Sequence, residues 1–236
     1  MKTITISQAV LATGLRNTVF ACDPEPTRYK LNCVRVEVEP YAITFVATDG
    51  HRISVITFES PHKLTDEPFV FSVPSKQAKQ LAKIYATPNR CAVNVDGAKS
   101  AVDYHNGNKK AKRIEFVDVV GRFPRWRDYV KAGKPIATMQ GRRDMMASYF
   151  TPTQSVCVSL NGSATFGQSV DAPKHAFEIT GKLIGCHVNG DYVLEWLESQ
   201  GSDKAKINVS FLGAESPIHF ACGNSIYVVM PIASER

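Results

Sequence analysis

Two stretches of this sequence combine residue types and spacing in ways that could do chemistry. The first is Thr48-Asp49-Gly50-His51-Arg52, where an acid, an imidazole and a guanidinium lie close together. Asp49 and His51 could form part of the acid–base set of a hydrolase. The same residues also read as a turn at a strand junction, because Asp-Gly favours chain reversal. The second stretch is Ser75-Lys76-Gln77-Ala78-Lys79-Gln80-Leu81-Ala82-Lys83-Ile84-Tyr85. If it is helical, Lys76, Lys79 and Lys83 share one face, and Ala78, Leu81, Ala82 and Tyr85 the other. The segment holds no acid to pair with the lysines. Such a stripe is either a solvated surface or a phosphate contact that reads no bases.

Other catalytic and metal signatures are missing. There is no Gly-x-Ser-x-Gly elbow, no His-Glu-x-x-His and no Walker loop. The cysteines, Cys22, Cys33, Cys91, Cys157, Cys186 and Cys222, are scattered without a Cys-x-x-Cys pair, which fits reduced thiols in a cytoplasmic protein. No catalytic residue, metal or cofactor is therefore expected. No apolar run nears the roughly 20 residues a membrane helix needs.

The elements that must position these residues follow from periodicity. Lys2 to Ile6 alternates and reads as a strand; Ser7 is a natural N-cap for a helix from Gln8 to about Phe20. Strands are expected at Leu31–Val38, Ala42–Ala47, Arg52–Phe58, Phe69–Val73, Cys91–Val95, Ser100–Tyr104 and Arg113–Val117. A linker is expected at Val130–Pro135. Beyond it come helices at about Asp144–Phe150 and Gly190–Gln200. Strands there fall at Val156–Leu160, Ala164–Phe166, Ala176–Thr180, Ile207–Phe211, Ile218–Ala221 and Ile226–Met230. Hairpins outnumber crossovers. The fold class is therefore α+β, with two domains, 1–132 and 133–236, each setting two helices on antiparallel sheets. Residues 1–135 hold 21 Lys and Arg against 13 acids, and residues 136–236 hold 7 against 9. A basic first half suits a polyanionic partner.

A resemblance becomes specific at four places in order along the chain. Arg28-Tyr29-Lys30-Leu31-Asn32 followed by Val46-Ala47-Thr48-Asp49-Gly50-His51-Arg52-Ile53-Ser54-Val55 looks like the middle domain of the bacterial DNA polymerase III beta subunit, the sliding clamp. Gly121-Arg122-Phe123-Pro124-Arg125-Trp126-Arg127 resembles that family's junction between middle and last domains. Asn189-Gly190-Asp191-Tyr192-Val193-Leu194-Glu195-Trp196-Leu197 is similar to the last domain's second helix, and Tyr227-Val228-Val229-Met230-Pro231 to its C-terminal strand.

This resemblance implies a non-enzymatic ring that encircles double-stranded DNA and tethers partners. It implies an apolar cleft for peptides of polymerases and of the clamp loader, formed by Leu31, Thr48, Gly50, His51, Arg52, Ile53, Pro124, Tyr129, Val228 and Met230, with Arg28 at its edge. Tyr129 stands where the family usually has an aliphatic residue. The family's ring has six domains from two three-domain chains, and this chain resembles only the middle and last. Its ring is therefore expected to be a homotrimer. The expected DNA-facing residues are Arg16, Lys76, Lys79, Lys83, Arg142 and Arg143, whereas the last helix offers Asp191, Glu195 and Glu198 and no cation. The alternative is a clamp-derived module that binds the same peptides without forming a ring.

Overall fold

The computed structural model describes all residues except 26–29, 85, 106–110, 132, 151–154, 162–163, 167–169, 172–175 and 233–236. The chain sorts into two compact units. Unit 1 is Met1–Gly50 with Ser54–Pro124, and unit 2 is His51–Ile53 with Arg125–Arg236. The changeover at Pro124 precedes the expected linker, and three residues after the Asp-Gly turn sort with unit 2.

Unit 1 comprises β1 (Lys2–Ser7), α1 (Gln8–Arg16), β2 (Cys33–Glu39), β3 (Ala42–Thr48), β4 (Arg52–Glu59), β5 (Phe69–Pro74), α2 (Ser75–Leu81), β6 (Arg90–Asp96), β7 (Lys99–Tyr104) and β8 (Lys112–Val117). The first two residues of β4 sort with unit 2. One sheet runs β1-β6-β7-β8, and a second runs β4-β3-β2-β5. Leu11, Ala12 and Leu15 of α1 and Ala78 and Leu81 of α2 join one buried cluster with Val34, Val36, Phe45, Phe71 and Val73. Burying the apolar stripe of each helix on a sheet is what holds helices this short, which would be marginal alone.

Both helices stop earlier than periodicity suggests. Ser7 caps α1 as expected, its Oγ accepting from the Val10 N–H at 3.1 Å. At the other end, Asn17 Nδ2 donates to the Thr13 carbonyl at 3.0 Å, and Thr18 Oγ1 donates to the Gly14 carbonyl at 2.8 Å. Thr18 Oγ1 takes the Gly14 carbonyl that a continuing helix would have given to the Thr18 N–H, which turns to Leu15 instead, and a 3₁₀ turn at Val19–Ala21 follows. After α2, the Lys83 and Ile84 N–H groups bond three residues back, to Gln80 and Leu81, which tightens the chain out of α geometry.

Unit 2 comprises α3 (Arg127–Val130), β9 (Ala137–Arg142), α4 (Arg143–Ala147), β10 (Ser155–Asn161), β11 (Ala164–Phe166), β12 (Val170–Asp171), β13 (Glu178–Asn189), α5 (Gly190–Ser199), β14 (Lys206–Phe211), β15 (Ile218–Cys222) and β16 (Ser225–Val229). Their order is β12-β11-β10-β13-β9-β14-β15-β16. Strand β13 is far longer than expected and changes partner along its length. Glu178–Gly181 pair with β9, and Lys182–Asn189 pair with β10. The Trp196 indole of α5 stacks on Tyr227 at 5.6 Å between centroids and donates to Ser225 Oγ at 3.3 Å. Phe166 lies against Tyr149, Phe150 and Phe177. Among the described residues, no helix is long and apolar enough to cross a membrane.

Candidate functional site

The expected DNA-facing residues separate by unit. In unit 1, Lys76, Lys79 and Lys83 are all exposed, while Ala78, Leu81 and Ala82 are buried. The face predicted from spacing is therefore formed, although Lys83 stands just past the end of α2; Tyr85 lies outside the described residues. Arg16 is exposed at the last turn of α1, and its Nη2 donates to the Ala82 carbonyl at 3.1 Å. That bond ties the two helix ends together and places a cation at the negative end of the α2 dipole. None of the four cations has a carboxylate partner among the described residues.

The two arginines of unit 2 are differently placed. Arg142 forks onto the Asp144 carboxylate, with Nε at 3.1 Å from one oxygen and Nη2 on the other. Arg143 pairs with Asp203 and donates from Nε to the Ser202 carbonyl at 3.2 Å. Arg143 thereby fixes the start of α4 against the loop after α5, whereas the Arg142 pair closes within the first turn of α4. Exposed Glu195 and Glu198 stand on α5, and Glu195 pairs with Arg52.

The residues assigned to a peptide cleft also fall in both units. Arg28 lies outside the described residues. In unit 1, Leu31 is buried with its carbonyl accepting from the Asp23 N–H at 3.1 Å, and Pro124 is half-buried at the unit's end. Thr48 Oγ1 accepts from the Gly50 N–H at 3.1 Å, and Gly50 has φ +96°. That left-handed backbone, at a position open on its Cβ side, explains the glycine. Thr48-Asp49-Gly50 is thus a hydroxyl-closed turn.

In unit 2, exposed His51 accepts through its carbonyl from the Met230 N–H at 2.9 Å. Arg52 is only 8% exposed; besides Glu195, its guanidinium lies 4.0 Å from the centroid of Tyr192. The residue expected at a ligand cleft is thus held by α5 as a buried, stacked cation. Helix α3, carrying exposed Tyr129, packs on β16. Along β16, Tyr227 and Val229 point into the core. On the other face Val228 is buried, and Ile226 and Met230 are 36% and 42% exposed. Ile53 is buried.

Burial disfavours the thiolate at three of the buried cysteines. Burial pushes Cys33 and Cys186 up to about 11 and Cys91 up to about 12. Among the described residues no group of His, Cys, Asp or Glu could hold a metal ion. Sequence reading missed two residues of note. Glu195 was assigned to the helix surface but not to Arg52, which lies 143 positions away. His219 was not singled out; it is 6% exposed on β15, where burial holds its imidazole below the ordinary value. A histidine in an otherwise apolar strand, Ile218-His219-Phe220-Ala221, was the available signal.

Residues 5–124 match the family described as DNA polymerase III beta subunit, central domain. The chain is similar to the beta sliding clamp of Bacillus subtilis, 25% identical over 255 residues covering 99% of this chain and 64% of that protein. It is similar to the beta sliding clamp of Vibrio cholerae, 23% identical over 252 residues covering 97% of this chain and 65% of that one. Both relatives are thus spanned over slightly less than two thirds of their length. In fold it resembles the DNA polymerase III beta subunit of Thermotoga maritima, with a TM-score of 0.82 at 16% identity, covering 99% of this chain and 66% of that one.

Proposed function

The chain belongs to the DNA polymerase III beta subunit family, and from that premise we propose that it is a DNA sliding clamp, a non-enzymatic cytoplasmic processivity factor. Its partners in this reading are duplex DNA, held through the phosphate backbone, short peptides of a DNA polymerase and a clamp loader, and further copies of itself. Three chains closing head to tail supply six domains, as two three-domain chains do in the family's ring.

The single observation that carries the DNA partner is the face shared by Lys76, Lys79, Lys83 and Arg16, exposed and without carboxylate partners among the described residues. A clamp must not read bases if it is to slide. Lysine ammonium groups on flexible stems contact phosphates without fixing register, and they give a salt-dependent affinity. Linkage around the duplex, rather than tight binding, then keeps the protein on DNA. The peptide site of this proposal is the outward strip of β16 with its neighbours in unit 2: Val228, Met230, Tyr129, His51, Arg52 and Ile53. Met230 supplies an adaptable apolar contact for ligands of differing shape.

Threading tests this without a loader. The protein is mixed with linear duplex, both ends are blocked with streptavidin, and high salt is applied. A clamp stays on the blocked DNA and runs off unblocked DNA, and light scattering gives three chains per particle. Equal release from both DNAs overturns the proposal. One observation favours the second reading, a non-ring module that binds clamp-seeking peptides: Arg142 and Arg143 are already committed to Asp144 and Asp203. That reading predicts a monomer, equal release, and retained peptide binding.

A further inference from the structure

Cross-strand registers place a row of side chains on one face of the unit 2 sheet: Thr180 of β13, Thr138 of β9, Ser210 of β14, His219 of β15 and Val228 of β16. Directly opposed residues in an antiparallel ladder share a face, so the row is continuous. Its far end is wet: Thr180 is exposed and its hydroxyl lies 2.7 Å from that of Thr138. The row becomes buried toward Val228, the side on which α3 packs against β16.

His219 is the most buried polar member of this row, and its Nδ1 has no hydrogen-bond partner among the described residues. A buried polar atom left unsatisfied costs on the order of 1–3 kcal/mol. Replacement by an aliphatic residue would remove that cost, so the imidazole calls for a partner that the described residues do not supply. Its cross-strand neighbour Val228 lies between the exposed apolar side chains of Ile226 and Met230. A ligand seated on this strip lies one strand away from the imidazole, on the same face of the sheet.

We propose that His219 is a specificity-determining residue of the peptide site on β16: its free ring nitrogen takes a hydrogen bond from an uncharged amide or hydroxyl side chain of an otherwise apolar docked peptide. This rests on the peptide-binding part of the proposed function. An amide or hydroxyl is the matching chemistry because it can donate or accept, and so serves either tautomer of a neutral imidazole. A carboxylate or ammonium entering the same position would be stripped of water without an opposite full charge from the neutral ring. A purely aliphatic side chain would leave Nδ1 unpaired, which is how such a site rejects it.

The test pans a phage-displayed random peptide library on the full chain, in wild type and in His219→Leu, with thermal melts confirming that both fold. The expected wild-type consensus is apolar with one amide or hydroxyl residue at a fixed place. A synthetic peptide of that consensus should bind His219→Leu about tenfold more weakly, the scale of one hydrogen bond. Replacing its polar residue by Leu should weaken binding to wild type but not to His219→Leu, and His219→Gln, which keeps a polar group, should restore part of the preference. An identical response of both proteins to that replacement overturns the role of His219 and leaves the peptide site standing. Failure to select any peptide, or selection of peptides that bind Met230→Glu equally well, overturns the peptide site on β16 and the role of His219 together.

Discussion

The helices α1 and α2 of unit 1 and α4 and α5 of unit 2 are the same kind of element put to different electrostatic use. On the first pair, four cations reach solvent with no carboxylate partner among the described residues. At the second pair, every expected cation is already matched: Arg142 to Asp144 and Arg143 to Asp203, while Glu195 of α5 is matched by Arg52. A phosphate that approached Arg143 would have to displace a carboxylate and a backbone carbonyl. A phosphate that approaches Lys79 displaces only water and mobile ions. Counting cations along a sequence therefore overstates the DNA-binding capacity of unit 2, because a paired guanidinium is close to neutral at a distance. In the proposed clamp, phosphate affinity should therefore be carried by unit 1 and be weak at the expected cations of unit 2.

The most direct way to break that comparison is to remove the cations from each side separately. Replacing Lys76, Lys79 and Lys83 by Ala should reduce the salt slope of DNA binding by about 2.7, and near 0.1 M salt weaken binding by more than about two orders of magnitude, if each contacts one phosphate. Arg142→Ala should change the slope by less than about 0.5, because the released Asp144 offsets the lost charge. Fluorescence anisotropy over a salt series measures both. Equal slopes for the two variants would erase the distinction between the units.

The sequence reading located most strands but judged the ion pairs poorly, for physical reasons. Strands β2, β3, β7 and β14 were legible because apolar residues alternate along them, and α5 because Gly201 closes it; its cap, Asn189, which accepts from the Asp191 N–H at 2.9 Å, came only with the structure. Strand β9 was missed: Ala137-Thr138-Met139-Gln140-Gly141-Arg142 carries a glycine and only one β-branched residue. Its glycine answers a tertiary demand, since a Cβ on Gly141 would sit 2.4 Å from the Phe177 ring. The lysine stripe was visible because it is local to one helix. Arg52 with Glu195 and Arg143 with Asp203 were invisible because 143 and 60 positions separate the partners. The resemblance carried by Thr48–Arg52 thus indicated a family without indicating that its arginine is occupied.

The pairing of Arg52 can be used to sharpen the comparison further. Arg52→Ala removes a buried side chain that stacks on Tyr192, and should destabilise the protein by about 2 kcal/mol, mostly through lost packing. Glu195→Gln keeps a hydrogen-bond acceptor for the guanidinium on a half-exposed side chain, and should change stability by less than about 1 kcal/mol. The same Glu195→Gln variant takes an acid off α5, so DNA should bind slightly tighter, by less than about threefold. Urea denaturation and anisotropy read the two effects independently. A large loss of stability in Glu195→Gln would mean that the ion pair, rather than the stack on Tyr192, holds Arg52 in place.

The smallest expected effect sits at His219 and separates the units by pH instead of by salt. Burial lowers the folded-state pKa of this imidazole from its ordinary value near 6.5. The folded protein thus binds the proton less readily than the unfolded chain. Its contribution is fully present above about pH 6.5 and is lost as the pH falls from there through the lowered pKa, where the unfolded state takes up the proton first. Unfolding free energy measured by urea at successive pH values should decline over that window, and His219→Gln should flatten part of the decline. Because the uncharged Gln side chain also leaves any peptide hydrogen bond available, the pH slope isolates the cost of charging the imidazole from its role in recognition. An unchanged slope in His219→Gln would show that the imidazole already gains compensating solvation when it is charged, and so is less enclosed than its place between Ser210 and Val228 requires.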